Sequence, residues 1–191
     1  MFPTTAQLLT FDFAALGGNE GSASSNYNAA NVSPSTISRG SGITAQIGPG
    51  RFNSIAFTAT TTVDLTDYLG FTVTPNLSMI TINSIILQSD RSSQGPTKFV
   101  IRTSQDGYVV NATNIVTINS TSVVTNTFTF TTPITTTSPV TIRLYGYENG
   151  SSQTGDFGPG NGAGNDIIVN GSLVLLPVKI ADVRLLKNWK I

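Results

Sequence analysis

The chain of 191 residues contains no cysteine and no histidine. Their joint absence excludes thiol nucleophiles, histidine-based catalytic triads and zinc sites of the usual kind, and it removes the side chain best suited to proton transfer at neutral pH. Most familiar enzyme designs are therefore excluded. Disulfides cannot stabilise the protein either, so an exported protein of this sequence would depend on a broad buried core.

Charge is also scarce, since 10 Lys and Arg residues balance 10 Asp and Glu residues. A surface without a basic field does not attract a phosphate backbone, so nucleic acid is not an expected partner. No run of 18 or more apolar residues occurs, so we expect no membrane insertion.

Alternating apolar and polar residues are abundant, whereas windows with helical periodicity are nearly absent. Hydrophobic residues make up 39% of the chain, enough for one packed core. We therefore predict an all-β protein, with residues 1–176 forming a single antiparallel β-sandwich of jelly-roll type. The predicted strands are residues 7–13, 43–47, 53–60, 70–74, 78–89, 98–103, 108–118, 123–131, 140–147 and 166–176.

Three segments depart from this pattern. Residues 17–42 and 149–165 are rich in Gly, Ser and Asn, and they are either functional loops or plain connections between the sheets. Residues 177–191 begin at a proline and hold three of the four lysines and the only tryptophan. We expect this tail to be a linker or the start of a following module.

The motif TSQDGY, at residues 103–108, has two interpretations. Asp106 followed by Gly107 between alternating segments predicts a hairpin turn, because Gly supplies the positive φ that such turns need. In that case Asp106 serves the backbone. The alternative is that its neighbours belong to a site that binds or cleaves sugars.

A polar and aromatic stripe is the main candidate for ligand binding. Arg143, Tyr145 and Tyr147 alternate with Ile142 and Leu144, so they share one face of a strand.

If that strand lies beside the 98–103 strand, Arg102 and Tyr108 join the stripe and provide rings and forked donors suited to sugar rings and hydroxyls. The alternative is that the tyrosines are half-buried for packing, with the arginines covering them.

Catalysis is not expected, because a glycosidase needs two carboxylates across a cleft and the acids here are scattered. An exposed carboxylate pair in a cleft would instead indicate a hydrolase. The one cofactor that the sequence suggests is a structural calcium ion, with Asp12, Asp156 and Asp166 as ligands. Asp12 has a simpler explanation as the hydrated member of an alternating strand.

Several stretches, taken in order, carry a family resemblance: LLTFDFAALGGNEGS, ISRGSGI, YLGFTVTPN, SIILQSDRSSQGPTKFVIRTSQDGY and TGDF followed by NDIIVNGSLVLLPVKI. Together they resemble the exported β-sandwich domains of large secreted and surface proteins of Bacteroidota, over residues 8 to about 182. The segment LPVKIADV resembles the connector to an immunoglobulin-like module or a sorting domain of the type IX secretion route. The resemblance implies a secreted or cell-surface location and a likeness to carbohydrate-binding modules, and it brings no catalytic residues.

Two functions are therefore predicted from the sequence. The first is a non-catalytic extracellular binding or adhesion module within a larger protein, with a polysaccharide or surface glycan as the partner. The second is a structural protomer that assembles with copies of itself through strand edges or through the C-terminal tail.

Overall fold

The structure is a computed structural model, and it describes residues 6–148 and 154–177. Within these residues two antiparallel sheets of eight and six strands form a β-sandwich, which confirms the all-β prediction. The strands are β1 (Ala6–Phe11), β2 (Ser22–Ser24), β3 (Tyr27–Asn28), β4 (Thr36–Arg39), β5 (Thr44–Ala45), β6 (Ser54–Ile55), β7 (Tyr68–Val73), β8 (Ser78–Arg91), β9 (Lys98–Thr103), β10 (Val116–Thr117), β11 (Val124–Thr136), β12 (Val140–Tyr147), β13 (Phe157–Pro159) and β14 (Ile167–Leu175). Jelly-roll connectivity stays a prediction.

The larger sheet is organised around β8, which spans fourteen residues. One part of β8 pairs with β14, its C-terminal end pairs with β13, and β11 pairs along it as well. The first and last strands of the sandwich are also neighbours, because β1 pairs antiparallel with β14. The smaller sheet has the order β10-β9-β12-β7-β4-β2.

Strand β11 illustrates why this composition folds into sheets. Phe128 and Phe130 are buried, while Thr127, Thr129 and Thr131 between and beside them are exposed. A threonine has a branched Cβ that suits a pleated strand and a hydroxyl that stays hydrated. Such strands can bury one face without placing charges on the other.

The core lies between the two sheets and is rich in phenylalanine and isoleucine. Phe11 of β1 meets Phe71 of β7 with ring centroids 5.2 Å apart, and Phe99 of β9 meets Phe157 of β13 at 4.3 Å. Each contact joins one sheet to the other. Full burial of one such side chain stabilises the fold by about 1.5–3 kcal/mol, so these pairs fix the relative position of the sheets.

Several predicted boundaries are wrong. The segment 17–42 contains three short strands, β2, β3 and β4, although its small polar residues show no alternation. The predicted strands 43–47 and 53–60 reduce to two residues each, because only short stretches of them find a ladder partner. Of the predicted strand 108–118, only β10 is in a sheet ladder.

Part of the predicted organisation lies outside the described residues. This holds for residues 149–153 of the second glycine-rich segment and for residues 178–191 of the tail. The remainder of that glycine-rich segment contains β13, which the sequence did not predict. In the part of the chain that the structure describes, there is no helix with the length and apolarity needed to cross a bilayer.

Candidate functional site

The two arginine-bearing strands lie side by side in the smaller sheet. Strand β12 pairs antiparallel with β9, and Arg143 is directly opposite Arg102. On its other edge β12 pairs with β7, which places Tyr145 opposite Tyr68. We use the name arginine–tyrosine cluster for Tyr68, Arg102, Tyr108, Arg143 and Tyr145.

All five residues lie on the face of this sheet that points away from the sandwich core. The neighbouring residues of β9 and β12, Ile101, Ile142 and Leu144, belong to the core between the sheets. Side chains alternate along a strand, so Arg102, Arg143 and Tyr145 must face outward.

Arg143 is held between two tyrosine rings. The Cζ atom of its guanidinium lies 4.0 Å from the ring centroid of Tyr68 and 3.7 Å from that of Tyr108. Such stacking is favourable because the negative faces of the rings attract the cation. Gly70 is opposite Arg143 on β7, and a Cβ there would come within 3.0 Å of the Tyr68 ring, so this glycine makes room for that ring.

The motif TSQDGY forms the turn that delivers Tyr108 to the cluster. After β9 the chain makes one turn of 3-10 helix (Ser104–Asp106), and Gly107 and Tyr108 follow with φ of 70° and 66°. The two oxygens of the Asp106 carboxylate accept hydrogen bonds from the backbone N–H groups of Tyr108 (3.0 Å) and Val110 (2.9 Å).

Asp106 therefore serves the backbone, as the turn interpretation predicts. The connection is longer than the predicted hairpin turn, because the strand that returns alongside β9 is β10, whose Val116 pairs with Phe99. Residues 104–115 form a longer connection instead.

Arg102 is anchored at the edge of the cluster. Its Nε donates to the side-chain oxygen of Asn111 at 2.9 Å, and one terminal nitrogen donates to the carbonyl of Tyr108 at 3.2 Å. Its Cζ lies 5.8 Å from the Tyr145 ring, within the range of a cation–π contact. Both arginines are thus positioned by neutral partners.

The tyrosines of β12 are more deeply buried than a sugar-stacking platform requires. Tyr145 is 0% exposed and Tyr147 is 5% exposed, and together with Val100 they form a small second core beneath Tyr68 and Val63. The expectation that all five stripe residues share an exposed face is therefore wrong for these two. Arg102, Tyr108 and Arg143 are half-buried and remain accessible.

Two buried polar atoms of the cluster, the Tyr145 hydroxyl and the Arg143 Nε, have no partner in good hydrogen-bond geometry within the described residues. The Tyr145 hydroxyl is nevertheless close enough to the Arg143 guanidinium to interact with it. Burial raises the pKa of the Tyr145 hydroxyl, although its side-chain interaction with Arg143 and the charges of Arg143 and Arg102 act in the opposite direction. Tyr145 therefore stays protonated at neutral pH.

Tyr147 belongs to a different electrostatic environment at the end of the stripe. It is paired across the sheet with Lys98, whose ammonium group lies 2.7 Å from the Glu148 carboxylate. The cation at this end is therefore neutralised by a carboxylate. The end of the stripe near Arg102 and Arg143 has no such partner within the described residues.

The structure does not bring the three predicted calcium ligands together. Asp156 accepts hydrogen bonds from the Ser92 backbone and from Asn53, each at 3.0 Å, next to Arg51. Asp12 instead accepts from the Ala14 backbone at 2.9 Å. Residues 6–148 and 154–177 contain no group of three or more acidic side chains that could hold a metal ion, so these aspartates do not fit a shared calcium.

Asp166 has a structural position instead. Only 1% exposed, it accepts a hydrogen bond from the Phe13 backbone N–H at 2.7 Å through one oxygen, while its other oxygen has no partner within the described residues. Burial raises the pKa of Asp166 to about 6; the Phe13 hydrogen bond opposes this shift and the nearby charge of Asp12 adds to it.

The carboxylates of Asp90 and Asp156 converge on one cation. Arg51 lies 2.7 Å from Asp90 and 3.8 Å from Asp156, and Asn161 donates to the other oxygen of Asp90 at 2.8 Å. These carboxylates are engaged by donors of the protein itself. They form an ion-pair network and not the open pair of a glycosidase.

The sequence prediction missed Tyr68 and Asn111. Tyr68 was placed outside the strand predicted at 70–74, yet the alternation in YLGFTV puts Tyr68, Gly70 and Thr72 on one face and Leu69, Phe71 and Val73 on the other. Extending the strand by two residues would have found it. Nothing in the sequence pattern indicates the role of Asn111, because its contact with Arg102 depends on the path of the connection.

The fold thus defines an antiparallel β-sandwich with a polar, aromatic cluster on the outer face of one sheet. No protein-family model matches the chain, and neither the curated proteins nor the solved structures include one with significant similarity to it.

Proposed function

We propose that this chain is a non-catalytic binding module that holds a glycan at the arginine–tyrosine cluster. The observation that carries the proposal is the pair of half-buried arginines on adjacent strands, oriented by stacking and by neutral hydrogen-bond partners. Oriented guanidinium groups present several donors in a fixed fork, which suits the oxygens of a sugar. A site built on sheet strands also keeps its geometry when a ligand arrives.

The mode of binding differs from the one expected from sequence. Tyr145 and Tyr147 are too deeply buried to stack on a sugar ring, so the contacts come from Arg102, Arg143 and the accessible parts of Tyr68 and Tyr108. In this arrangement the rings orient the arginines, and the arginines bind the ligand.

The proposed location is extracellular, on a secreted or surface protein of the Bacteroidota type. Its support is the resemblance of the motifs quoted above, together with a surface whose strands expose threonine hydroxyls and few charges. Membership of that family and the carbohydrate-binding role are parts of the proposal.

A glycan array screened with and without calcium tests the proposal directly. We expect the protein to retain a subset of the glycans, to retain them equally in EDTA, and to lose them on Arg102→Ala. Thr125→Ala, on an exposed position of β11 in the other sheet, is the control and should bind normally. Failure of the unaltered protein to retain any glycan contradicts the proposal.

A second function, self-assembly with copies of the same chain, is favoured by the free edge of β11. Within the described residues β11 pairs with β8 alone, apart from one isolated bridge between Phe130 and Thr113. The outward backbone N–H groups of Thr129 and Thr131 donate to the side-chain oxygen of Asn114 and to the carbonyl of Ala112. The first half of β11 has no neighbour on this side within the described residues. An unpaired edge of this kind can accept a strand from another copy.

Light scattering and electron microscopy of the purified chain test this alternative. Assembly through the edge predicts oligomers that dissociate when Thr127 is replaced by proline, because proline removes an N–H from the edge. A protein that remains strictly monomeric at high concentration contradicts it.

A further inference from the structure

The cluster contains a charge arrangement that a neutral sugar does not require. Arg102 and Arg143 are direct cross-strand partners, so two positive side chains lie opposite each other on one face of the sheet. Like charges in this position destabilise a sheet. The fold nevertheless keeps both.

Among residues 6–148 and 154–177, no carboxylate compensates for this repulsion. The ion pairs within the described residues involve Arg51 and Lys98, and neither Arg102 nor Arg143 takes part in one. The nearest carboxylate along the chain is that of Asp106, and both of its oxygens accept hydrogen bonds from backbone N–H groups of its own loop. The two guanidinium groups therefore form a local excess of positive charge in a chain whose net charge is zero.

Hydrogen-bonding capacity is also unused at the same place. Arg102 donates two hydrogen bonds, both to neutral oxygens, whereas Arg143 stacks on the faces of two rings. Beneath them the fully buried Tyr145 hydroxyl interacts with the Arg143 guanidinium but has no partner in good hydrogen-bond geometry within the described residues. Paired guanidinium groups match the flat or tetrahedral oxygen sets of carboxylates and sulfates.

We propose that the arginine–tyrosine cluster is an anion subsite that takes the carboxylate or sulfate group of an acidic polysaccharide. Arg102 and Arg143 clamp the anionic group, and Tyr68 and Tyr108 keep Arg143 in place by stacking on both sides. The bound anion relieves the repulsion between the two arginines. This inference rests on the proposed glycan-binding function and narrows its ligand to charged glycans.

The test compares polymers that differ only in charge. Binding of polygalacturonate is measured against its fully methyl-esterified form, and binding of a sulfated galactan against the desulfated polymer, in EDTA and at low salt. We expect each acidic polymer to bind at least about tenfold more tightly than its neutral partner, because hydrogen bonds to charged groups are the stronger kind. The two pairs of polymers show whether carboxylate or sulfate is the preferred anion.

Variants locate the effect on the protein. Arg102→Gln should reduce binding of the acidic polymer by about tenfold and reduce the weaker binding of the neutral one by clearly less, because only the acidic polymer loses a contact between opposite charges. Lys98→Gln is the matched control, since Lys98 is on the same face of the same strand but is already paired with Glu148. Melting temperatures of all variants check that the fold is retained. Arg143→Gln removes the other arginine of the subsite and should also weaken binding of the acidic polymer.

The possible failures can be told apart. Equal binding of charged and neutral polymers overturns the anion subsite and leaves the glycan-binding proposal standing. Acidic binding that survives both arginine replacements also overturns the subsite. Retention of no polysaccharide of any kind overturns the subsite and the proposed function together.

Discussion

Two arginines of this protein stack on aromatic rings at the same distance but differ in what their nitrogens contact. The guanidinium of Arg39 lies 3.7 Å from the Phe52 ring centroid, and that of Arg143 lies 3.7 Å from the Tyr108 centroid. The nitrogens of Arg39 donate to Ser54 Oγ and to the carbonyls of three residues, Gly18, Glu20 and Asn53. Arg143 has no comparable set of acceptors, and its Nε has no partner within the described residues.

This difference separates an arginine that holds the fold together from one that is available for a ligand. Arg39 joins β4 to two loops and to β6, and burial lowers the pKa of Arg39 to about 10 although Glu20 opposes the shift. A network whose acceptors all belong to the protein leaves nothing for a partner. Stacking on a ring therefore does not by itself indicate a ligand-binding arginine. Guanidinium N–H groups without acceptors in the protein are the better indication.

The largest expected effect concerns the fully buried ring of the arginine–tyrosine cluster. Tyr145→Ala should lower the free energy of unfolding by about 3–5 kcal/mol, because it empties a fully buried aromatic site. Denaturant unfolding measures the loss. Tyr108→Ala, at a half-buried position of the same cluster, is the control and should cost clearly less. Equal and small losses would mean that the cluster is not packed as described.

The second prediction concerns Asp166, a buried acid with one carboxyl oxygen that has no hydrogen-bond partner within the described residues. The pKa of Asp166 is raised from its ordinary value of 3.8 to about 6, so between these values the folded state binds more protons than the unfolded state. The contribution of Asp166 to the free energy of unfolding should therefore rise as the pH falls from about 7 to about 4, by up to about 3 kcal/mol.

The measurement is the free energy of unfolding against pH for the unaltered protein and for Asp166→Asn, whose side chain does not ionise. The variant should lack this contribution, whereas Asp12→Asn, at the exposed neighbour, should keep most of it. Identical pH profiles for the unaltered protein and Asp166→Asn would contradict the prediction.

Arg39 itself gives an intermediate effect. Arg39→Met keeps much of the packing on Phe52 but leaves several partly buried acceptors without their donor, so we expect a loss of about 2 kcal/mol. Thermal or chemical unfolding measures it. A neutral result would place Arg39 in the same class as Arg143 and remove the basis of the comparison.

The smallest expected effect is that of Arg143→Gln on stability, a change below about 1 kcal/mol. Loss of the stacking on Tyr68 and Tyr108 is partly offset by relief of the repulsion with Arg102. Chemical unfolding at low and at high salt checks this, because salt screens the repulsion. A loss as large as that of Arg39→Met would assign Arg143 a structural role.

Much of this architecture could be predicted from the alternation of residues along each strand. The faces of β9 and β12 follow directly from the sequence, since Ile101 and Ile142 point inward and Arg102 and Arg143 outward. Whether β9 and β12 are neighbours could not be predicted, because pairing between strands about 40 residues apart leaves no local pattern in the sequence.

The depth of burial could not be predicted in the same way. Tyr145 and Val100 are on the outer face, yet side chains from two other segments, Val63 and Tyr68, cover them. A period of two tells which face a residue occupies and not what lies over that face. The short strands of segment 17–42 were missed for a related reason, since two to four residues are too few to show a period.

The pairing of β1 with β14 also governs when this protein can fold. The first strand finds its partner about 160 residues later, and β8 needs the same late strand along most of its length. The larger sheet cannot be completed before β14 is present, and until then β8 has only β11 as a long partner. Such long-range pairing predicts slow folding.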